Sequence, residues 1–182
     1  QTPGRMNLFN LGQFHAMVDY AHNPHSYEAL GSFIRNWPGE RIGVVGGPGD
    51  RRDEDFVTLG QLSATIFDRI IVKEDNDNRG RTRGDAARLI LEGIAAANQG
   101  VPHETILDET VAVNTALDLA PAGSLVVIFP ESVSRAIDLI NARHPQTDLD
   151  LPSTVQTQTL PAENSSSNGT STTPGEYVQS SS

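Results

Sequence analysis

The feature that most constrains the fold is an alternation, repeated five times, between short apolar runs and longer segments of helical period. The short runs are FHAMVDY (14–20), RIGVVG (41–46), RIIVKE (69–74), ETILD (104–108) and SLVVIF (124–129). The segments of helical pattern that follow them are 25–37, 53–67, 84–98, 110–120 and 132–143. Strands joined by helices are nearly always parallel, and runs that are apolar on both faces need helices on both sides of the sheet.

One more strand is expected ahead of the first of these units. The stretch RMNLFNLGQFHAMVDY (5–20) places NLGQ (10–13) between two strand-like runs, a pattern typical of a hairpin. The sequence therefore predicts an α/β fold with an open sheet of about six strands, mostly parallel, with one antiparallel edge strand and helices on both faces. Asp85 is predicted to be the N-cap of the third long helix.

The composition of the chain changes sharply near its end. From Leu151 to Ser182 there are eight Ser, six Thr and no Lys or Arg, which leaves too little apolar surface to offset the entropy lost on folding. We predict one domain over residues 1–147 and a disordered, Ser/Thr-rich tail over residues 148–182. Because the chain opens with QTPGR and no initiator Met, we expect it to be a fragment of a longer protein.

Charge and residue content argue against several classes of function. The formal net charge is -10, which disfavours a nucleic-acid-binding surface, since such surfaces need clustered Lys and Arg. There is no Cys, so disulfides and thiolate metal sites are excluded, and the sequence contains no apolar run of membrane-spanning length. We expect a cytoplasmic protein without nucleic acid or membrane partners, and we predict no metal site on this chain.

Polar residues follow the first predicted parallel strand in the stretch DYAHNP (19–24). Ligands of open α/β sheets bind at the carboxyl ends of the strands. An acid that directly ends an apolar strand is costly unless it is solvated or paired, so Asp19 and His22 favour a functional site here. The alternative is structural, with Asn23 capping a helix that has Pro24 in its first turn.

Glycines crowd the end of the second predicted strand in GVVGGPGDRRDED (43–55). This loop lacks both the Gly-x-x-x-x-Gly-Lys-Ser/Thr and the Gly-x-Gly-x-x-Gly patterns of nucleotide-binding loops. An anion bound here would have to use backbone N–H groups together with Arg51 or Arg52. The one dense basic stretch, DNRGRTRGD (77–85), is interleaved with acids and is equally compatible with a solvated loop.

Three motifs together resemble a known family. PGRMN (3–7), VDYAHNP (18–24) and the Gly-Asp-Arg-x-Asp loop (49–53) are similar to the C-terminal domain of the Mur ligases and folylpolyglutamate synthases. These are ATP-dependent amide ligases whose third domain is a Rossmann-like sheet, and the resemblance covers roughly residues 3–143. The longer phrases ERIGVVGGPGDRRDED, IIVKEDNDNRGRTRGDAA and SLVVIFPESVSRAI resemble a branch that builds a polymer with an aspartate backbone and arginine side groups.

The resemblance implies which residues lie near ATP. Arg5 and Asp19 would contact the nucleotide, and His22 and Asn23 would lie close to it. In the family, the triphosphate-binding loop, with its lysine and its magnesium ligands, belongs to a central domain that this chain lacks. The implied cofactors are therefore ATP and Mg²⁺, with the magnesium ligands outside this chain.

The resemblance also implies an acceptor site for an amino acid. In the diaminopimelate-adding members, the arginine that corresponds to Arg51 touches the incoming amino acid, so we expect the glycine loop to line the acceptor pocket. The family's Asp-Asn-Pro-Arg motif has a positional counterpart at 75–79, which ends in Arg79. Its Gly-Lys-Gly-His-Glu motif is replaced by FPES (129–132), which puts the other amino-acid contacts in doubt.

A pocket that prefers arginine over lysine needs an acid to accept the five donors of the guanidinium. The candidate acids at this edge of the sheet are Glu74, Asp75, Asp77 and Glu131. The alternative is that these acids only neutralise the nearby arginines, which are Arg79, Arg81 and Arg83. The residues alone do not decide which acid would bind the guanidinium.

The function implied is that of a ligase domain. An aspartate side-chain carboxylate is activated as an acylphosphate, the α-amine of arginine attacks it, and this domain clamps ATP and positions the arginine without turning over by itself. The implied partners are the central P-loop and N-terminal domains of the same polypeptide, arginine, the aspartate polymer, and further copies in a homo-oligomer. Two alternatives stay open: a nucleotide- or amino-acid-binding regulatory module, and a folylpolyglutamate synthase-like ligase that adds glutamate.

Overall fold

The computed structural model describes residues 6–21 and 23–143, so the predictions for Arg5, His22 and the 148–182 tail lie outside the described residues. The strands are β1 (Asn7–Asn10), β2 (His15–Val18), β3 (Arg41–Val45), β4 (Arg69–Val72), β5 (His103–Thr105) and β6 (Leu125–Ile128). The helices are α1 (Pro24–Ile34), α2 (Asp53–Ile66), α3 (Asp85–Ala97), α4 (Glu109–Leu119) and α5 (Val133–Arg143).

The strands form one sheet in the order β1-β2-β6-β3-β4-β5. β1 pairs antiparallel with β2 at one edge, and every other neighbouring pair is parallel. β6 lies between β2 and β3, so that Ile128 is the register partner of both Val18 and Val44. The predicted open, Rossmann-like sheet of six strands with one antiparallel edge strand is confirmed.

Helices cover both faces of the sheet and enclose two separate cores. α1, α2 and α3 pack on one face, and α4 and α5 pack on the other. Successive side chains of a strand point to opposite faces, and β4 shows this clearly, because Ile70 and Val72 enter the first core and Ile71 enters the second. This alternation continues past the end of β4 and decides where the polar residues that follow it are placed.

The first turns of two helices are built differently. Asn23 is the N-cap of α1, where its side chain accepts a hydrogen bond from the Ser26 N–H at 2.9 Å, and Pro24 occupies the first helical position. The prediction that Asp85 caps α3 is wrong. Gly84 is the N-cap, with φ of 95°, and Asp85 is already the first helical residue. Gly84 has no side chain that can accept from the first N–H groups of the helix, so the acceptor comes from elsewhere in the chain.

Helices α2 and α3 approach each other through a pair of glycines. A Cβ atom on Gly60 would lie 2.0 Å from the Ile90 carbonyl oxygen, and one on Gly93 would lie 2.0 Å from the Val57 carbonyl oxygen. We expect Gly60→Ala to lower the free energy of unfolding by about 1–3 kcal/mol, because the added methyl group must push two backbones apart. Urea denaturation measures the loss. Gly47→Ala is the control, because a Cβ there meets only the Phe56 ring, at 3.7 Å.

Candidate functional site

The parallel strands end at one edge of the sheet, which we call the carboxyl edge. The described loop residues there follow β2 (19–21 and 23), β3 (46–52), β4 (73–84), β5 (106–108) and β6 (129–132). Every site residue predicted from the sequence and described by the structure lies in one of these loops. The outcome agrees with the rule that open α/β sheets bind ligands at this edge.

A cavity of about 280 Å³ opens at the carboxyl edge between the loop after β2 and the start of α2. The residues around it include Asn23, Gly46, Gly47, Arg51, Asp55 and Phe56. The cavity is thus lined by an aromatic ring, by glycine backbone and by charged groups of both signs. Such a combination suits a small polar ligand with apolar parts, for example an amino acid.

Two neighbouring arginines border this cavity and differ in how they are paired. The Arg52 guanidinium forms an ion pair with Asp55, with 2.8 Å between Nη2 and Oδ1, and the Arg52 side chain is 76% exposed. Within the described part of the chain, the Arg51 guanidinium has no hydrogen bond or ion pair. Both residues precede α2, whose N-terminus carries partial positive charge. Arg51 is therefore the cation that remains available to a bound anion.

The glycines of the 46–49 loop are explained mainly by close packing. A Cβ on Gly46 would lie 2.8 Å from Cε of Lys73, and a Cβ on Gly49 would lie 2.1 Å from the Asn78 carbonyl oxygen. Only Gly47 has room for a side chain. Two of the three glycines are thus needed without a bound phosphate, which favours the interpretation of the loop as the wall of an acceptor pocket.

The basic stretch 77–85 braces this glycine loop. Arg81 donates to the Gly49 carbonyl oxygen at 2.9 Å and to the Arg51 carbonyl oxygen at 2.8 Å, and it also forms an ion pair with Asp53 at 2.8 Å. Arg79 forms an ion pair with Asp50 at 2.7 Å. Arg81 thus fixes the segment that carries Arg51, which a merely solvated loop would not do, whereas both side chains of the Arg79–Asp50 pair are about half exposed.

Arg83 completes the bracing. It donates to the Asp75 carbonyl oxygen at 3.0 Å and to the Leu107 carbonyl oxygen at 2.9 Å, and so joins the loops after β4 and β5. Its guanidinium also lies 3.7 Å from Glu74, the one candidate acid that forms an ion pair with the arginines at 79, 81 and 83 in the described structure. Neutralisation of these arginines therefore does not account for Asp75 and Glu131, whereas the charge of Asp77, after the contact with Asp50, helps to raise the pKa of Arg79.

Glu74 is buried, and its carboxylate caps helix α3. Its Oε2 accepts from the Gly84 N–H at 2.8 Å, and its Oε1 accepts from the Ala87 N–H at 3.1 Å. This is the acceptor that Gly84 cannot supply. Because its side chain is only 2% exposed and caps a helix, Glu74 has a structural role, and its burial gives no support to the predicted binding of an amino acid.

We expect Glu74→Ala to lower the free energy of unfolding by about 1.5–3 kcal/mol, because it removes charge-assisted hydrogen bonds to two helix N–H groups. Asp85→Ala should cost about 0.5 kcal/mol or less, since the Asp85 side chain is 43% exposed, makes no cap hydrogen bond and forms only a surface ion pair with Arg88 at 3.6 Å among the described residues. Thermal and urea unfolding of both variants measure the difference. Equal losses would show that Glu74 does not act as the cap.

Asp75 belongs to a buried ionic group that sequence reasoning missed, because Lys73 and Glu109 were not recognised as site residues. Lys73 Nζ lies 2.6 Å from Asp75 Oδ1 and 2.6 Å from Glu109 Oε2. The side chains of Lys73, Asp75 and Glu109 are 0%, 10% and 1% exposed. The strand alternation was a usable signal, since Lys73 follows Ile71 toward the α4 face while Glu74 follows Val72 toward the α3 face.

Glu131 and Asp77 are the candidate acids with exposed surface. Glu131 accepts from the Asn76 N–H at 3.2 Å and from the Asp77 N–H at 3.1 Å, and Arg135 lies 3.4 Å away. Burial raises the pKa of Glu131, but the two backbone hydrogen bonds and Arg135 outweigh it and hold the pKa below its usual range. Glu131 is therefore charged at neutral pH. Among the described residues, Asp77 accepts a hydrogen bond from the Arg79 N–H on its own loop.

The ATP-facing prediction rests on Asp19 among the described residues. Asp19 is buried and accepts from the Ala21 N–H at 2.7 Å and from the Met6 N–H at 2.8 Å. A carboxylate oxygen has two acceptor positions, and within residues 6–21 and 23–143 a backbone N–H takes one position on each oxygen of Asp19. A hydroxyl donor such as a ribose hydroxyl fits this arrangement, whereas a phosphate, itself an anionic acceptor, does not. Asn23 is the cap of α1, as the structural alternative for this residue requires.

Tyr27 lies beneath the carboxyl edge and is stacked on Phe129, with ring centroids 4.3 Å apart. Burial, and then the charges of Asp19 and Asp75, raise the pKa of Tyr27 well above its ordinary value. The tyrosine therefore stays neutral. Its hydroxyl has no hydrogen-bond partner among the described residues.

Within residues 6–21 and 23–143, no group of three or more His, Asp or Glu side chains is arranged to hold a metal ion. In the same ranges, no helix is both long enough and apolar enough to cross a membrane.

The chain matches the family model described as Mur ligase, glutamate ligase domain over residues 4–132. It is 70% identical over 144 residues to a cyanophycin synthetase of Nostoc sp., a match that covers 79% of this chain and 16% of that protein. It is 65% identical over 145 residues to the cyanophycin synthetase of Crocosphaera subtropica, covering 80% of this chain and 17% of that protein. The chain thus spans about a sixth of the length of these relatives.

Solved structures agree on the fold. A UDP-N-acetylmuramoyl-L-alanyl-D-glutamate--2,6-diaminopimelate ligase superposes with a TM-score of 0.67 at 22% identity, covering 79% of this chain and 32% of that one. E. coli FolC in complex with DHPP and ADP superposes with a TM-score of 0.60 at 23% identity, covering 78% of this chain and 32% of that one. At these identities the likeness establishes the architecture.

Proposed function

Because the chain belongs to the Mur ligase family and matches its glutamate ligase domain, we propose that it is the acceptor domain of an ATP-dependent amide ligase that adds arginine to aspartate side-chain carboxylates, as in cyanophycin synthesis. The observation that carries the proposal is the 65–70% identity to cyanophycin synthetases over four fifths of the chain. Similarity to a relative of another kind is much lower: a UDP-N-acetylmuramyl-tripeptide synthetase of Borreliella burgdorferi is 35% identical over 126 residues.

The acceptor role is supported by the cavity beside the glycine loop. Arg51 borders it and would bind the α-carboxylate of the incoming amino acid, because its guanidinium is unpaired among the described residues and matches a carboxylate. Fixing the amino acid in this way aligns its α-amine for attack. Positioning of two reactants can supply roughly 7–11 kcal/mol of barrier reduction.

The side-chain guanidinium of arginine would be bound by the exposed acids of the carboxyl edge. Glu131 is the stronger candidate, since its backbone hydrogen bonds fix its orientation and keep it ionised. Asp77 lies on the same segment and is available as a second acceptor. Arg79 is ion-paired with Asp50 and would act on the loop and not on the substrate.

The nucleotide would lie near the loop after β2. ATP, when bound with Mg²⁺, supplies the phosphoryl group that turns a carboxylate into a better acyl donor. Asp19 would accept a hydrogen bond from a hydroxyl of the nucleotide, next to Asn23 at the start of α1, and the assignment of Arg5 and His22 to ATP stays a prediction. We propose that the triphosphate loop and the magnesium ligands belong to other domains of a longer polypeptide, so that this chain alone does not turn over.

The proposal is tested on that longer polypeptide, purified and supplied with ATP, Mg²⁺, an aspartate polymer and one amino acid at a time. We expect phosphate release and incorporation that both require arginine and the polymer. Phosphate release and incorporation that require glutamate in place of arginine would indicate a folylpolyglutamate synthase-like ligase. Amino-acid binding without any phosphate release would indicate a regulatory module.

A further inference from the structure

Lys73 is a buried cation at the carboxyl edge, and the proposed function assigns it no role. Its side chain is fully buried, and its ammonium group lies 2.6 Å from both Asp75 Oδ1 and Glu109 Oε2. Burial of a charge is costly unless the charge is paired and hydrogen-bonded, and here the two acids provide the pairing. The carboxylate of Asp75 therefore already holds a cation that belongs to the protein.

Through these two acids, Lys73 joins three loops of the carboxyl edge. Glu109 is the first residue of α4, and its Oε2 also accepts from the Glu131 N–H at 2.6 Å. The Glu131 carboxylate in turn accepts from the N–H groups of Asn76 and Asp77. These ion pairs and hydrogen bonds form a continuous network that begins and ends in the loop after β4, in which Lys73 itself lies.

The same lysine also fixes the start of the glycine loop. The backbone N–H of Lys73 donates to the Val45 carbonyl oxygen at 2.8 Å. The Lys73 side chain packs so closely on Gly46 that this glycine has no room for a Cβ atom. Further along, Arg81 donates to the carbonyl oxygens of Gly49 and Arg51. The glycine loop is thus fixed at its start by Lys73 and at Arg51 by Arg81, which belongs to the same 73–84 loop as Lys73.

We propose that Lys73 is a positioning residue for the incoming amino acid, acting through Asp75 and Glu109, and that Asp75 does not bind the guanidinium of the substrate. The proposal rests on the proposed acceptor function of this edge. A positioning residue affects every amino acid that enters the pocket, whereas a residue that binds the guanidinium discriminates arginine from lysine. The two roles therefore predict different changes in selectivity.

The test compares Lys73→Met, Asp75→Asn and Glu109→Gln in the full polypeptide. Arg41→Met is the matched control, because it breaks a bidentate ion pair with Asp68 at the opposite edge of the same sheet. We expect Lys73→Met and Asp75→Asn to raise the KM for arginine at least tenfold. The KM for ATP should stay within twofold of the wild-type value. The ratio of kcat/KM for arginine to kcat/KM for lysine should also stay within twofold of the wild-type ratio. Arg41→Met should change none of these.

A change of tenfold or more in the arginine-to-lysine ratio for Asp75→Asn would show that Asp75 binds the guanidinium and would overturn the proposal. The proposal would also be overturned if folded Lys73→Met had an unchanged KM for arginine, or if its KM for ATP rose as much as its KM for arginine. Should circular dichroism show that Lys73→Met is unfolded, Asp75→Asn and Glu109→Gln decide by the same criteria. Should the wild type use another amino acid, the arginine assignment fails, and the same KM comparison for that amino acid still tests Lys73.

Discussion

Replacing Lys73 by methionine lowers the free energy of unfolding of this chain by about 3–5 kcal/mol. Methionine fills a similar volume, so the loss comes from the two carboxylates of Asp75 and Glu109, which stay buried without their counter-ion. A loss of this size is a large part of the 5–15 kcal/mol by which a typical domain is stable. Urea denaturation at neutral pH, followed by circular dichroism, measures it.

The control for this stability measurement is again Arg41→Met. Its ion pair with Asp68 has 22% and 44% of the two side chains exposed, and exposed pairs of this kind contribute about 0–1 kcal/mol. A loss below about 1 kcal/mol for Lys73→Met would mean that water or a neighbouring cation replaces the ammonium group. In that case the buried ionic group would not hold the loops together.

Replacing Arg51 by alanine lowers kcat/KM for the amino acid about 10- to 100-fold in the full polypeptide, with little change in the KM for ATP. The removed interaction is a hydrogen-bonded ion pair with the substrate carboxylate, which contributes about 1.5–3 kcal/mol. The backbone of Arg51 keeps its place, because Arg81 holds its carbonyl oxygen and not its side chain. Steady-state kinetics with each substrate varied in turn give the result.

Arg52→Ala is the matched control for Arg51→Ala. The two arginines are adjacent and carry the same charge, but the Arg52 guanidinium is paired with Asp55 and points largely to solvent. We expect its kinetics for the amino acid to stay within a factor of two of the wild type. Equal effects of the two substitutions would show that the site responds to the general positive charge of the loop, and the assignment of the carboxylate to Arg51 would be lost.

Much of the fold was predictable because it depends on local patterns. The five strand-helix units follow from apolar runs that alternate with helical period, and the hairpin follows from the polar residues between β1 and β2. The edge strand β5 is the weakest of these, being only His103–Thr105 and fully exposed, where 104–108 was predicted. The position of β6 between β2 and β3 depends on packing of the whole sheet and has no local signature.

The candidate site was predictable in its location and less so in its chemistry. Arg51 could be singled out from its loop, but the different structural roles of the neighbouring acids could not be predicted. Glu74 caps a helix and Asp75 pairs with a lysine because successive residues after β4 face opposite sides of the sheet. Gly84, which donates to Glu74, and Glu109, the second partner of Lys73, come close to these residues only when the chain has folded, so the sequence spacing does not reveal them.

The place of β6 in the sheet also affects how the chain can fold while it is being synthesised. β2 and β3 emerge from the ribosome early, yet neither pairs with the other in the finished sheet, since both pair with β6, the last strand in chain order. Until Leu125 and the residues after it have emerged, the nascent domain has two open strand edges at what becomes its centre. Unpaired edges of this kind invite association with other chains. The domain therefore completes its centre last, and the chain is most in need of protection just before that step.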